Sequence, residues 1–394
     1  MLNAQMLALG TKRSTIRELF EYGKKLAERV GGENVFDFSL GNPSIPAPEE
    51  VNSELKSIIE STPSTLLHGY TSAEGDRAVR SAIAEFIKKE YGAKAYPENI
   101  YMTAGAAAAL SCALKALTTP GDEVVVLAPY FPEYKVFAES CGATVVSAPC
   151  RAEDFRPDIS ALEKSISSKC SAVIINSPNN PSGAVYTVED IKAISELLSK
   201  KSLEIGHPLY IIADEPYREL VYGKQVPYIP NYYDNTVVCY SFSKSISIPG
   251  ERIGYAFVSP NAQDSELIFS AVAGAGRALG YVCATSLFQK LVPAFLGKTA
   301  DLTQYRENRD ILTNALREYG YTVPDADGAF YLFVKSPISD ARECSMLARE
   351  LGLLLVPSDD FGYPGFLRIA YCQSKDMILR SLPRFRELIE RVRT

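Results

Sequence analysis

The sequence predicts an α/β fold with a large domain built on a mostly parallel seven-stranded sheet and a smaller α+β domain. Short β-prone runs alternate with helical patterns from about residue 95 to 260, which is typical of a sheet covered by helices on both faces. Most runs are continuously apolar, as expected for strands buried on both sides. After Ser286 the pattern changes to long amphipathic helices. The predicted strands of the large sheet are 100–103, 123–128, 144–148, 172–176, 209–213, 236–242 and 253–259.

Capping and breaking residues locate the helices between these strands. The turn Thr119-Pro120-Gly121-Asp122 ends a predicted helix over 106–117, and Thr187 begins a helix that runs through 191–198. In the C-terminal part, periodicity predicts two further helices and two strands. The helices lie around 302–319 and 344–351, and the strands at 330–334 and 366–370.

The N-terminal segment has a predicted helix through 16–30 but too few residues for a core of its own. We therefore expect it to pack on the C-terminal part of the chain. The predicted division is a large domain over 48–288 and a small domain formed by 1–47 and 289–394.

Composition restricts the partners of this 394-residue chain. Its net charge of -6 argues against a nucleic-acid or anionic membrane surface, so the expected partner is a small molecule. No apolar run reaches the roughly 20 residues that cross a bilayer, and we expect a cytoplasmic protein. The eight cysteines show no CxxC spacing, which favours reduced thiols. With only His68 and His207, we expect no metal site.

A lysine and an arginine follow the sixth strand-like run. Lys244 lies in Ser241-Phe242-Ser243-Lys244-Ser245, and Arg252 follows eight residues later. A lysine amine can form a Schiff base with a carbonyl cofactor, and a guanidinium matches a phosphate. The hydroxyls of Ser241 and Ser243 can add hydrogen bonds to the phosphate. The pair suggests pyridoxal 5′-phosphate (PLP), although neighbouring lysines and arginines can equally belong to a solvated face.

Two other strand-like runs lead into segments suited to a phosphate and an aromatic ring. Gly105, Ala106 and Ala107 follow the first run and begin a helix, whose free N–H groups can bind phosphate. A simple strand-to-helix turn is the alternative. Asn180 lies in the Pro- and Gly-containing loop over 176–183, where its amide could hydrogen-bond a phenolic oxygen. A plain turn is the alternative here as well.

Two charged residues at strand ends complete the candidate site. Asp214 directly follows the fifth run, with Tyr217 three residues later. A carboxylate keeps a pyridine nitrogen protonated, which makes the ring an electron sink. The alternative for Asp214 is a helix N-cap. Arg368 interrupts the apolar run over 366–370 and needs a partner such as a substrate carboxylate. A structural salt bridge is the alternative.

Taken together, these residues resemble the class I and II aminotransferases of PLP fold type I over nearly the whole chain. The resemblance is specific because the motifs occur in order and at the ends of strands. They are Gly41-Asn42-Pro43, Tyr70, Gly105-Ala106-Ala107, Tyr130-Phe131, Asn180-Pro181-Ser182-Gly183, Asp214-Glu215-Pro216-Tyr217, Ser241-Phe242-Ser243-Lys244, Arg252 and Arg368.

The resemblance implies a role for each residue around the cofactor ring. Lys244 would bond the PLP aldehyde and later move the proton of the substrate α-carbon. Asp214 would pair with the ring nitrogen, and Asn180 and Tyr217 would hydrogen-bond the ring oxygen. Phe131 takes the stacking position that is often tryptophan in aspartate aminotransferases, and it keeps an aromatic face there.

The phosphate and substrate residues follow from the same resemblance. Arg368 would bind the substrate α-carboxylate, and the segment around Gly41 would close over it. Tyr70 would reach the phosphate from the partner subunit of a homodimer with shared active sites. The remaining phosphate ligands would be Gly105, Ala106, Ala107, Ser241, Ser243 and Arg252.

The expected reaction is transfer of an amino group between an L-amino acid and a 2-oxo acid by a ping-pong mechanism. Ala107 stands where some dicarboxylate-specific relatives have lysine, and Arg277 could replace that lysine, so aspartate specificity stays open. A PLP-dependent carbon-sulfur β-lyase or an amino acid racemase is the alternative on this scaffold. A regulatory PLP-binding module is a third reading, opposed by the acidic charge and an N-terminus too short for a winged helix.

Overall fold

A computed structural model describes residues 2–11 and 14–393. Its strands are β1 (Phe36–Asp37), β2 (Ile100–Thr103), β3 (Glu123–Ala128), β4 (Thr144–Pro149), β5 (Cys170–Asn176), β6 (Tyr210–Asp214), β7 (Thr236–Ser241), β8 (Gly254–Val258), β9 (Tyr331–Lys335), β10 (Leu353–Leu354), β11 (Val356–Pro357) and β12 (Phe366–Ala370). Its α-helices are α1 (Ala4–Thr11), α2 (Thr15–Val30), α3 (Glu49–Ser61), α4 (Ser64–Leu67), α5 (Arg77–Tyr91), α6 (Ala106–Leu117), α7 (Glu133–Ser140), α8 (Ile159–Ser165), α9 (Val188–Ile205), α10 (Phe242–Ser245), α11 (Ser265–Leu279), α12 (Ser286–Phe295), α13 (Thr303–Tyr319), α14 (Ala341–Glu350) and α15 (Lys375–Arg393).

The large sheet has seven strands within the described residues, in the order β2-β8-β7-β6-β5-β3-β4. Strand β8 runs antiparallel to both of its neighbours, and the other pairings are parallel. The predicted mostly parallel α/β sheet is therefore confirmed. Strands β2 and β3 have the predicted bounds, and the other five strands differ from the prediction by one or two residues at an end.

The strands of this sheet are continuously apolar because both faces of the sheet are buried. In β3, Val125 and Leu127 pack into the core on one face, whereas Val124 and Val126 pack into the core on the other. Side chains alternate between the two faces of a strand, so a strand covered on both sides needs apolar residues at successive positions. Burial of these side chains at about 1.5–3 kcal/mol each is the main stabilising contribution.

Local signals set the helix ends. Thr187 forms a capping box with Asp190 at the start of α9, and Gly206 ends that helix with a left-handed backbone. Gly105 precedes α6 with φ of +79°. The predicted beginnings of both helices are confirmed. None of the helices in the described ranges is long and apolar enough to cross a membrane.

The C-terminal part forms a second, antiparallel sheet in the order β11-β12-β9. The predicted helices and strands of this part are confirmed as α13, β9, α14 and β12. The predicted N-terminal helix is confirmed as α2. Strand β1 pairs with β10 in parallel, and Phe36, Phe38 and Ile45 share a core with the C-terminal residues.

The sheet register brings the candidate residues to one edge. Asn176 lies opposite Asp214 across β5 and β6. Thr103 and Ser241 flank Gly254 from either side, because β8 runs between β2 and β7. The segments that follow these strand ends therefore meet in one place, as expected at the carboxyl edge of a parallel sheet.

Candidate active site

A cradle suited to a phosphate lies between α6 and the start of β8. The hydroxyls of Ser241 and Ser243 lie 2.7 Å apart, and Arg252 Nη1 donates to Ser243 Oγ at 3.3 Å. A methyl group on Gly105 would lie 2.7 Å from Arg252 Nη2, so glycine lets the guanidinium approach the backbone. The first turn of α6, with Ala106 and Ala107, adds unpaired N–H groups. The assembly can bind a dianion.

Lys244 is the amine nearest this cradle. It lies on α10, and its Nζ donates to the Gly41 carbonyl at 2.8 Å. Burial is the main cause that lowers the pKa of Lys244 to about 8; Cys372 opposes the shift, and the charges of Arg252 and Arg368 contribute to it. About a tenth of the amine is therefore neutral at pH 7, in the form that a nucleophile or base requires.

Asp214 is a buried carboxylate with a free oxygen. Its Oδ2 accepts a 2.5 Å hydrogen bond from the Tyr134 hydroxyl, whereas Oδ1 is buried and has no protein partner in the described residues. Burial raises the pKa of Asp214 to about 7, despite the lowering effect of the Tyr134 hydrogen bond. Asp214 caps no helix, because no helix of the described residues begins there and neither carboxylate oxygen accepts from a backbone N–H. A protonated ring nitrogen would give Oδ1 the partner that it lacks.

Arg368 and Asn180 meet in the interior. Arg368 is 2% exposed, and its Nη1 donates to Asn180 Oδ1 at 3.1 Å while its Nη2 donates to the Ser39 carbonyl. Its guanidinium lies between the rings of Tyr331 and Phe361, at 4.8 and 5.1 Å from their centres.

Within residues 2–11 and 14–393, no carboxylate forms an ion pair with Arg368, and its Nε has no hydrogen-bond partner. Burial lowers the pKa of this arginine. The alternative of a structural salt bridge is therefore wrong for the described part of the chain. A carboxylate from a bound molecule would supply the counter-charge that the site lacks.

Two tyrosines that motif analysis missed support these groups. Tyr134 lies on α7 and holds Asp214, and Tyr331 lies on β9 with its hydroxyl 3.1 Å from that of Tyr217. Burial raises the pKa of Tyr217 well above its usual value, so this phenol keeps its proton and can donate it in a hydrogen bond. Tyr134 lies three residues after Phe131 and packs edge-on against its ring at 5.7 Å. That spacing was the only sequence signal for it.

Three candidate residues are exposed in a single chain. Tyr70 is 99% exposed. Ala107 and Arg277 are also exposed, the first at the start of α6 and the second in the last turn of α11. Within residues 2–11 and 14–393, no side-chain hydrogen bond or ion pair joins Tyr70 or Arg277 to the other candidate residues.

Comparison with known proteins identifies the family. The sequence model described as "Aminotransferase class I and II" matches residues 33–383. The chain belongs to this aminotransferase family. An aspartate aminotransferase of Thermotoga maritima is 30% identical over 381 residues, which cover 95% of this chain and 96% of that protein. The aspartate/prephenate aminotransferase of Thermus thermophilus is 29% identical, with 93% and 94% of the two chains covered.

Solved structures agree with this assignment. A crystal structure of an aminotransferase from Eubacterium rectale is 52% identical, covers 100% of both chains and has a TM-score of 0.98. The aspartate aminotransferase of Thermus thermophilus with maleate is 25% identical, covers 98% of this chain and 100% of the other, and has a TM-score of 0.86.

This aminotransferase is a PLP-dependent enzyme that transfers an amino group between an amino acid and a 2-oxo acid, as the sequence predicted. The residues present fit the cofactor, because the chain offers a dianion cradle, an adjacent amine with a lowered pKa and a buried carboxylate oxygen that has no partner among the described residues. When bound, PLP supplies an aldehyde for amine exchange and a protonated ring that withdraws electrons. The β-lyase and racemase alternatives are not favoured by these relatives.

Proposed function

We propose that Lys244, Asp214 and Arg368 carry the reaction of this transaminase. The observation that supports this proposal most strongly is the unpartnered Oδ1 of buried Asp214, on the same strand-end edge as Lys244. Asp214 would keep a proton on the cofactor ring nitrogen. Lys244 would hold the cofactor by its aldehyde and would move the proton at the substrate α-carbon. Arg368 holds the α-carboxylate and so orients the Cα–H bond for that transfer.

The remaining candidate residues hold the cofactor. Asn180 and Tyr217 would donate to its ring oxygen, and the ring of Phe131 would cover its face. The cradle of Gly105, Ser241, Ser243 and Arg252 binds the phosphate, with the first backbone N–H groups of α6 at Ala106 and Ala107. Gly41 accepts a hydrogen bond from Lys244 and covers the substrate from the N-terminal side.

We propose L-aspartate as an amino donor, by extension from the relatives named aspartate aminotransferases. Arg277 is the proposed partner of its distal carboxylate, because Ala107 offers no cation at the start of α6. In this proposal Arg277 acts from the second subunit, since it is exposed in a single chain.

The donor test uses the bound cofactor as its own indicator. Purified enzyme is mixed with single amino acids, and the conversion of the aldehyde absorbance to that of the amine form is recorded. We expect aspartate and glutamate to convert the cofactor of the wild-type enzyme. The Arg277→Ala enzyme should no longer be converted by these two donors but should still respond to the other donors. If aspartate and glutamate convert Arg277→Ala as fully as the wild type, the role of Arg277 is refuted.

A homodimer with shared sites is part of the proposal. Exposed apolar side chains occur on the segment that carries Tyr70 and on the segment that precedes Ser286, and Ser286 Oγ donates to the Leu67 carbonyl at 2.7 Å, which joins the two segments. Exposed apolar side chains on adjoining segments favour burial against a second copy. The side chains are Leu66 (65% exposed), Leu279 (36%), Tyr281 (39%) and Val282 (45%).

Subunit mixing tests this arrangement. Tyr70→Ala and Lys244→Ala chains are each weakly active or inactive alone. Unfolding and refolding them together yields hybrid dimers with one complete site, and statistical mixing predicts about a quarter of wild-type activity for shared sites of a two-fold dimer. No gain over the sum of the separate variants would refute the sharing of Tyr70.

The domain division and the compartment are proposals as well. We propose a large domain over 48–288 and a small domain of 1–47 with 289–394, supported by the pairing of β1 with β10. We propose a cytoplasmic location, supported by eight free cysteines, because reduced thiols are typical of reducing compartments.

A further inference from the structure

Tyr331 contacts three groups of the proposed site. It begins β9, where it lies opposite Ala370 of β12 and diagonal to Arg368 on the same face. Diagonal neighbours across antiparallel strands are within reach of an aromatic side chain. The register therefore explains how a tyrosine in an apolar strand reaches the buried arginine. The side chain is 2% exposed.

We propose that Tyr331 is a positioning residue of this transaminase, whose hydroxyl orients Tyr217 and whose ring orients Arg368. The inference rests on the proposed roles of those two residues. It assigns two separable tasks to one side chain, and each task has its own measurement.

The hydroxyl acts through Tyr217. The two hydroxyl oxygens lie 3.1 Å apart, and either can donate. A phenol has one proton, so when Tyr217 donates to the cofactor ring oxygen, its own oxygen accepts from Tyr331. Burial is the main cause that raises the pKa of Tyr331 to about 12. The charge of Arg368 opposes this shift, and the nearby Cys372 adds to it. Tyr331 therefore keeps the proton that it donates. A chain of hydrogen bonds strengthens each of its members, so Tyr331 makes Tyr217 a better donor.

The ring acts on Arg368 and on the N-terminal segment. The guanidinium carbon lies 4.8 Å from the ring centre, so the aromatic face fixes the plane in which a carboxylate can be bound. The hydroxyl end of the tyrosine packs against Gly41, where an added methyl group would overlap the Tyr331 hydroxyl. The Gly41 carbonyl accepts from Lys244. The position of Tyr331 therefore limits how closely this segment approaches the amine.

Two variants separate the two tasks, and a third is the control. Tyr331→Phe removes the hydroxyl and keeps the ring, whereas Tyr331→Leu removes both. Tyr371→Phe removes another buried hydroxyl of the same region, one that donates to the Ala329 carbonyl at 3.2 Å and lies outside the site. Cofactor-loaded enzyme is titrated with pH while the cofactor absorbance is recorded, and KM and kcat are measured for L-aspartate or the donor found by the absorbance screen. Thermal unfolding checks that each variant is folded.

Tyr331→Phe is expected to raise the pH midpoint of the absorbance change by about 0.4 to 1 unit, the value of one hydrogen bond, because the ring oxygen loses stabilisation as an anion. Its KM should stay close to that of the wild type. Tyr331→Leu should show the same midpoint shift and raise KM about threefold to thirtyfold. Tyr371→Phe should change neither quantity.

The inference is overturned if Tyr331→Phe titrates at the wild-type midpoint, or if Tyr371→Phe shifts the midpoint by as much. The proposed role of the Tyr331 ring is overturned if a folded Tyr331→Leu enzyme has the wild-type KM. Should Tyr331→Leu not fold, Tyr331→Phe still decides the role of the hydroxyl. Failure of the proposed function would give a different result. In that case the wild-type protein would show no cofactor absorbance that is lost in Lys244→Ala, and the inference about Tyr331 would fail with it.

Discussion

Replacing Arg368 by alanine tests the proposed substrate site most directly. Arg368 is 2% exposed, and its described hydrogen-bond acceptors are the neutral oxygens of Asn180 and Ser39. Its charge is therefore desolvated without a protein counter-charge, and a substrate carboxylate would form the pair. Truncating one partner of such a buried pair costs about 2–5 kcal/mol. At 1.36 kcal/mol for each factor of ten, kcat/KM should fall roughly 30-fold to 5,000-fold.

The assay is steady-state transamination with the donor identified by the absorbance screen. Arg368→Lys keeps the charge but loses the two-pronged geometry, so its kcat/KM should lie between the wild type and Arg368→Ala. Arg309→Ala is the matched control, because Arg309 also lies over a tyrosine ring, at 4.5 Å from that of Tyr222, and donates to a backbone carbonyl. It should retain the wild-type kcat/KM. A folded Arg368→Ala enzyme with kcat/KM within twofold of the wild type would refute the role of Arg368.

Three further substitutions have defined outcomes. Lys244→Ala should abolish the borohydride-trapped cofactor adduct in peptide mapping and lower kcat by at least about 100-fold. The control Lys298→Ala should change neither the adduct nor kcat. An adduct at another lysine would contradict the assignment. Burial raises the pKa of Asp214 from 3.8 to about 7, so the folded cofactor-free protein binds a proton that the unfolded chain releases in that window, and wild-type stability falls as pH rises through it. Asp214→Asn should remove this fall in stability and should stabilise the cofactor-free protein above that window by up to about 4 kcal/mol. It should also lower kcat about 100-fold. If the urea denaturation curve of the wild type is the same at low and high pH, as the curve of the variant should be, the raised pKa of Asp214 is contradicted. Gly41→Ala should lower kcat about tenfold or more, because its methyl group would displace the acceptor of Lys244, and unchanged kinetics would show that the segment adapts.

Much of the fold could be predicted because its signals are local. A strand buried on both faces must be apolar at successive positions, as β3 is. Helix ends also depend on nearby residues, as in the capping box of Thr187 and Asp190. The displaced strand ends have a physical reason too. Hydrogen bonding decides whether a residue belongs to the ladder. Leu209 N–H donates to Ser202 Oγ and its carbonyl accepts from the Tyr233 hydroxyl, so β6 begins one residue later than predicted.

The chemistry of the site was also readable from the sequence, since the reactive residues follow strand ends. Lys244, Asp214 and Arg368 could each be named from its residue type and its place after or within a strand. Tyr134 and Tyr331 could not be found in this way. Each contacts its partner across more than 75 residues of chain, Tyr134 across 80 and Tyr331 across 114, and an apolar strand or an ordinary helix gives no local sign of that contact.

By itself, the sequence of this transaminase determined the periodicity of its strands and helices, the caps that end them, and the residue types available for chemistry. These properties depend on interactions between residues close together in the chain. Only the tertiary structure decided the electrostatic state of the site. The lowered pKa of Lys244, the raised pKa of Asp214 and the unpaired charge of Arg368 arise from burial by elements far apart in sequence. Desolvation depends on everything that surrounds a group in space, and the order of residues along the chain does not state it.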